Sequence, residues 1–291
     1  MSTEPAGMSA PHRSTSSQPH PPARQAAYLS VPYPLDNAAA GADDHHYGLA
    51  HLLDPFSRSR LAALRDWTGA RVLEVGCGKG SFALHLAELV GPAGQVIATD
   101  LKPPSLDHHR ITVIAHDLTG DQPVPGGRYD LIHSRLVLPH LPGREQILQR
   151  LIAVLEPGGV LVEEAWQPVR SNPVIAAPDP DARHLYERFA MASGRVFDQA
   201  GTDPSWARRV HTVMTGHALT DVSTIIHGSY WHGGDPGARM IAAILGQMTD
   251  ALLAQGMSHT DLATVLQLLQ DPRLVVHSHL LHSTAGHRPL R

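Results

Sequence analysis

The chain runs to 291 residues and 31.4 kDa, long enough to bury one large core, or a core with a small appendage. Apolar residues make up 42% and charged residues 17%, and a formal net charge of −4 leaves no basic field for nucleic acid or an anionic membrane. A single cysteine, Cys77, excludes an internal disulfide framework and a multi-cysteine zinc site, so a reducing compartment is expected.

Residues 1–25 are rich in Ser, Pro, Ala, His and Gln, a composition that buries too little surface to offset ordering entropy, and a disordered tail is expected there. No positive stretch leads into an apolar run at the start, and no run approaches about 18 apolar residues, so the protein is expected to be soluble and cytoplasmic. Residues 26–68 read as an N-terminal helical lid, because Leu49, Leu52, Leu53, Phe56, Leu61 and Leu64 share helical spacing. Asp54 followed by Pro55 predicts a break into two short helices. From Arg71, short apolar runs alternate with helical patterns: RVLEVG, SFALHLAELV, QVIATD, ITVIAHD, YDLIHSR, EQILQRLIAVL and VLVEEAW. That alternation predicts an α/β core over 69–170, with a parallel sheet built from βαβ units. Gly91-Pro92 is expected to end the first helix, and Pro157-Gly158-Gly159 to end the later one ahead of its strand. A proline-rich break after Trp166, then helical patterns around Leu185, Phe189 and Val196 and from Pro204, predict an inserted helical cap over 171–220. Residues 221–291 are expected to complete the core with two strands flanking helices near 236–255 and 259–270.

The run Val72-Leu73-Glu74-Val75-Gly76-Cys77-Gly78-Lys79-Gly80 carries the chemistry. It sets an acid near the end of a buried strand and three glycines in the turn that enters a helix, where backbone can approach a ligand closely. A dinucleotide fingerprint needs G-x-G-x-x-G, whereas this turn reads G-x-G-x-G, with the carboxylate two residues ahead of it suited to an ammonium. A nicotinamide dehydrogenase is therefore disfavoured. Asp100 ends the second predicted strand, where a carboxylate accepts hydrogen bonds from ribose hydroxyls.

This pattern resembles motif I of class I S-adenosylmethionine-dependent methyltransferases. The resemblance extends to those secondary-metabolism members that carry H-x-R-x-V-L-x-H-L-P, here His133, Arg135, Val137, Leu138, His140, Leu141 and Pro142, then P-G-G before an acidic strand with Glu163-Glu164. It implies a Rossmann-like α/β fold with a seven-stranded, mostly parallel sheet, N-terminal helices and an inserted helical cap. The implied cofactor is S-adenosyl-L-methionine, leaving S-adenosyl-L-homocysteine. Its binding residues by resemblance are Glu74 toward the amino group, Gly76, Cys77, Gly78 and Gly80 in the loop, Asp100 and Leu101, Asp117 toward the adenine, Leu118, and Ser134. A further similarity is to methyltransferases that methylate indole C3 of tryptophan-derived cyclic dipeptides, giving pyrroloindolines.

Transfer to an acceptor that loses a proton calls for a base, and the candidates are His133, Glu164 and His140. His140 reads equally well as a packing residue, and only one of Glu163 and Glu164 can face the crevice, the other being helix-facing or solvated. Trp166, with Tyr28 or Tyr33 from the lid, offers an aromatic wall, and Asp198 a further acid at the substrate side. Cys77 reads as a small buried side chain, His45-His46 and His108-His109 as surface pairs pointing apart, and His277, His279 and His282 as no metal site. The expected partner is a small-molecule substrate, with no nucleic acid or membrane, and a homodimer is a reasonable assembly.

Overall fold

The computed structural model describes residues 34–35 and 42–290. The tail expected over 1–25, most of the lid before α1, and Tyr28 and Tyr33 lie outside the described residues. In chain order, the first half comprises α1 (Ala42–Leu64), β1 (Arg71–Val75), α2 (Ser81–Leu89), β2 (Gln95–Asp100), β3 (Ile111–Ala115), β4 (Tyr129–Arg135), a 3-10 turn (Leu138–His140), α3 (Arg144–Ala153) and β5 (Leu155–Gln167). The second half comprises β6 (Val174–Ala176), α4 (Pro180–Gln199), α5 (Trp206–Gly216), β7 (Thr220–His227), β8 (Tyr230–His232), α6 (Pro236–Gln247), α7 (Thr249–Ala254), α8 (His259–Leu268), β9 (Val275–His277) and β10 (Leu280–His287).

The main sheet has seven strands in the order β3-β2-β1-β4-β5-β10-β7. β3, β2, β1, β4 and β5 run parallel, and β10 pairs antiparallel with both β5 and β7. Strand order reverses between β1 and β4, which opens a crevice at their carboxyl ends. Alternation along the strands divides two cores. Leu73, Val75, Ile132, Leu161 and Ala165 face α3 and α5, through Ile147, Leu148, Leu151, Trp206, Val210 and Met214. Val72, Leu131, Val160 and Val162 face the opposite side, where Leu61 of α1 and Phe82 and Leu86 of α2 cover them.

A third core lies in the cap. It gathers Tyr186 and Phe189 of α4, Met240 and Leu245 of α6, Leu252 of α7, Val265 of α8 and Trp231 of β8. The small sheet β6-β9-β8 closes it. The cap is therefore built from two stretches, one after β5 and one after β7, which both leave the sheet at its carboxyl end. α5, expected within the cap, packs instead under the main sheet, because Trp206, Val210 and Met214 form an apolar stripe at helical spacing.

Two further expectations are corrected. α1 is one helix of 23 residues with Pro55 inside it, not two. Proline removes one backbone donor, and what carries the helix across that gap is packing on both sides: Leu49 and Leu52 join the cap core, while Leu61 and Leu64 join the sheet core. Asp54, expected to cap, uses its carboxylate on Arg135 at 2.7 Å instead. Pro157-Gly158-Gly159 does not end α3, which stops at Ala153; it lies inside β5 as an irregularity in the pairing with β4. A Cβ at Gly159 would sit 2.8 Å from the carbonyl oxygens of Glu156 and Tyr129.

Where α1 crosses α6, a Cβ on Gly48 would stand 2.8 Å from Met240 Cβ. Gly48→Val should therefore force the helices apart and cost about 2 kcal/mol, the order seen for overpacked contacts, read as a lowered midpoint in urea unfolding.

Candidate active site

The turn after β1 is held in shape by its backbone. Gly76, Gly78 and Gly80 have φ of 69°, 54° and 85°, the left-handed region that favours glycine. A side chain on Gly76 would collide with Val137, its Cβ only 2.2 Å from Val137 Cγ2, so the glycine turn interlocks with the turn after β4. The amides of Gly76 and Cys77 donate to the Thr99 carbonyl at 2.8 and 2.9 Å. Asp100 accepts from the amides of Gly78 and Lys102 at 2.9 and 3.0 Å. These bonds aim the loop at the carboxyl end of β2.

Glu74 is buried, and its Oε2 has no hydrogen-bond partner. Burial pushes its carboxyl up to about 8, Arg135 opposes that rise, and Asp54 and Asp100 add to it. An orphaned carboxyl oxygen beside a glycine cradle fits a ligand that carries an ammonium. Asp117 lies just beyond β3, where its Oδ1 accepts from the amide and hydroxyl of Thr119 at 2.8 and 2.6 Å. Leu118 is buried beside it and Leu101 follows Asp100 at half-burial. The residues present thus fit S-adenosylmethionine: Glu74 for the amino group, Asp100 for the ribose and Asp117 with Leu118 for the base. Cys77 is buried, and burial together with Glu74 and Asp100 pushes its thiol up, so it is no nucleophile at neutral pH.

His133 and Glu164 come together beneath α1 and α2. His133 Nε2 lies 3.4 Å from Glu164 Oε2, and its ring tilts against Phe82 at 4.5 Å. The Ser57 hydroxyl of α1 donates to the same Glu164 oxygen at 2.5 Å, Arg135 donates to Ser57 Oγ at 3.1 Å, and Arg135 pairs with Asp54 at 2.7 Å. Arg60, one turn on, donates to the Ser223 hydroxyl at 2.7 Å. Burial works to raise the Glu164 carboxyl, but the bonds from His133 and Ser57 and the field of Arg135 outweigh it and hold it below the ordinary range. Burial pushes His133 down, so it stays neutral as Glu164 stays ionised. Both expected bases are therefore buried and bonded to one another, with His133 Nδ1 and Glu164 Oε1 left without hydrogen-bond partners.

Strand alternation separates the neighbours. Ser134 and Glu163 point to the α5 side, where Trp206 Nε1 donates to Glu163 Oε1 at 3.1 Å. Glu163 is thus helix-facing, not solvated, and burial pushes its carboxyl up to about 8. His140 is not near His133: its Nδ1 lies 2.9 Å from Thr202 Oγ1, its ring tilts against Phe197 of α4, and burial then Arg144 push it down to about 4. Asp198 is held by Arg170 through two bonds of 2.6 Å. Trp166 meets His279 edge-on at 5.3 Å, and His279 meets Trp231 at 6.3 Å.

Asp54, Ser57, His46, His279 and Trp231 were not read from sequence as site residues. The signal for the first two was present as polar side chains one turn apart on the otherwise apolar face of α1. His45 and His46 are not a surface pair: His45 is buried, and a Cβ on Gly78 would touch His46 Cε1 at 3.0 Å. His108 and His109 do not point apart either, their rings stacking at 4.9 Å. Among the described residues, no three His, Cys, Asp or Glu side chains are grouped to hold a metal. No helix among them is long and apolar enough to cross a membrane.

Residues 45–220 match the signature of a family described as a methyltransferase domain. The chain is 32% identical over 216 residues to methyltransferase str3 of Strobilurus tenacellus, a match spanning 69% of this chain and 70% of that protein. It is 28% identical over 187 residues to methyltransferase pytC of Aspergillus terreus, spanning 62% of this chain and 56% of that one. The match to methyltransferase str2 of Strobilurus tenacellus spans 49% of that protein's length. A cyclopropane-fatty-acyl-phospholipid synthase-like protein from Lactobacillus casei shares the fold, with a TM-score of 0.54, 16% identity, and coverage of 86% of this chain and 94% of that one. The chain belongs to this methyltransferase family, and its activity is that of an S-adenosylmethionine-dependent methyltransferase.

The raised carboxyl of Glu74 contributes stability that is complete at acid pH and is lost as pH rises from the ordinary carboxylate value through about 8. Glu74→Gln should therefore melt higher than the parent protein without ligand, the gap widening from about pH 5 to pH 8. The same variant should lose the stabilisation that S-adenosylhomocysteine confers.

Proposed function

We propose that the protein methylates a small aromatic or heteroaromatic secondary metabolite, and that indole C3 of a tryptophan-derived cyclic dipeptide, closing to a pyrroloindoline, is the acceptor. The observation that carries this reading is the aromatic cluster at the carboxyl end of β5, where cap and sheet meet. Trp166, His279 and Trp231 stand within 5.3 and 6.3 Å of one another in sequence of contact, and His279 Nδ1 and Trp231 Nε1 have no hydrogen-bond partners. Indole and imidazole rings at such a seam suit a flat acceptor with polar groups at its edge. Burial, then Arg170, push His279 down to about 4, so its imidazole is neutral and ready to accept a hydrogen bond from an acceptor N–H.

When bound, S-adenosylmethionine supplies an electrophilic methyl carbon on a sulfonium. The protein's contribution is placement. The glycine turn and Glu74 hold one end of the cofactor, Asp100 the ribose, and the cap excludes water and fixes the acceptor in line. In this reading no metal takes part. The proton released when an acceptor amide closes the ring must leave the seam, and His279 lies there, whereas His133 and Glu164 are sealed by α1.

The test incubates the protein with methyl-labelled S-adenosylmethionine and tryptophan-containing cyclic dipeptides, and locates label by mass spectrometry and NMR. Label on indole C3 with ring closure supports the narrow reading; label on nitrogen or oxygen of another acceptor replaces it. Trp166→Ala should raise the acceptor KM roughly tenfold, the order of one lost aromatic contact, while S-adenosylhomocysteine binding stays unchanged.

A further inference from the structure

Glu74 poses a question of charge. A guanidinium at the end of the neighbouring strand, two residues past the register partner of Glu74, would ordinarily pair with it directly, yet Glu74 Oε2 is left without a partner. The guanidinium is that of Arg135, and its hydrogen bonds go elsewhere: to Asp54 at 2.7 Å and Ser57 at 3.1 Å, both on α1. We propose that Asp54 is a positioning residue for cofactor binding: by holding Arg135 on α1 it prevents that guanidinium from closing on Glu74, and so keeps the Glu74 carboxyl open to the cofactor ammonium. This rests on Glu74 as the acid that receives the cofactor amino group.

The geometry confines Arg135 to these choices. It is the last residue of β4, the strand beside β1, and Glu74 is in register with His133 two residues before it. Leu136 follows with φ of 59°, unusual for a side chain of its size, and its amide donates to the Glu164 carbonyl at 2.8 Å. That left-handed turn fixes where the strand ends and lets Val137 fit under Gly76. The guanidinium also lies over the Phe82 ring at 4.8 Å, and its side chain is 13% exposed. The groups facing Glu74 are Arg135 and His133 from β4, Asp54 from α1, Asp100 from β2 and Cys77 from its own turn. Arg135 is the one cation among them. Removing the Asp54 charge leaves Glu74 and Glu164 as the carboxyls that compete for it, and a buried ion pair with Glu74 would fill the place of the ammonium.

The consequence is a rescue that a merely structural role would not produce. Affinity for S-adenosylhomocysteine is measured by calorimetry on Asp54→Ala, Asp54→Asn, Arg135→Met and the double variant Asp54→Ala/Arg135→Met, with far-ultraviolet dichroism reporting the fold. Asp54→Ala and Asp54→Asn should weaken binding thirtyfold or more, and Arg135→Met only several-fold. The double variant should bind better than Asp54→Ala alone, because no guanidinium remains to occupy Glu74. In Asp54→Asn the ion pair would also flatten the pH dependence of binding between about pH 6 and pH 8. Parent-like affinity in both Asp54 variants, or a double variant weaker than Asp54→Ala, overturns the proposal while leaving Glu74 as the cofactor acid. Failure of the parent protein to bind S-adenosylhomocysteine overturns that reading of Glu74 and the proposal with it. Asp54→Asn keeps the side-chain shape, so the test stands if the alanine variant folds poorly.

Discussion

The rest of the molecule depends on how carboxyl groups are accommodated where water is absent. Glu74 on β1 and Glu163 and Glu164 on β5 are all fully or nearly fully buried, and an isolated buried carboxylate is among the most costly groups a protein can hold. The three are accommodated differently. Glu164 is ionised, its Oε2 held by Ser57 and His133 in the field of Arg135, Glu163 takes a bond from Trp206 and stays neutral, Glu74 stays neutral, and each of the three keeps one oxygen without a hydrogen-bond partner. Of the three, Glu74 is the one beside the glycine turn. The hydrogen-bonding deficit at Glu74 thus lies next to backbone that a ligand can approach closely.

α1 makes that arrangement possible and links it to the cap. Its first half packs on α6 and joins the cap core, its second half packs on α2 and joins the sheet core, and the polar residues that meet Arg135 and Glu164 lie at the middle. Any movement of the cap that carries α1 with it therefore reaches the buried charges. The cap core and the crevice beside the glycine turn thus share one helix.

The sequence reads well where a single residue type is forced by backbone geometry or by repeated burial. The three glycines of the turn stand at positive φ, which few other residues tolerate, and the strands from Arg71 to Trp166 are apolar runs because both faces of a parallel sheet are covered. Local rules misled where tertiary packing overrode them. Asp54-Pro55 has the form of a helix start, but the carboxylate has a stronger partner 81 residues away and the helix is clamped at both ends. α5 carries the same amphipathic pattern as α4, and nothing in that pattern says which apolar surface each will cover. The histidines are hardest to place: with 21 of them, composition predicts accidents, and only the fold distinguishes His46 against Gly78 or His279 between two indoles from the rest.

β10 lies between β5 and β7 although it follows both in the chain. During synthesis, β5 therefore emerges with its outer backbone edge open, and β7 has no neighbour to pair with, until residues 280–287 arrive. A nascent chain holds an apolar parallel sheet with an unprotected edge for the whole time it takes to make the second part of the cap, the situation in which strands from separate copies pair with one another. Closing that edge waits on residues 280–287, so recovery of folded protein should depend on how soon this last strand is inserted.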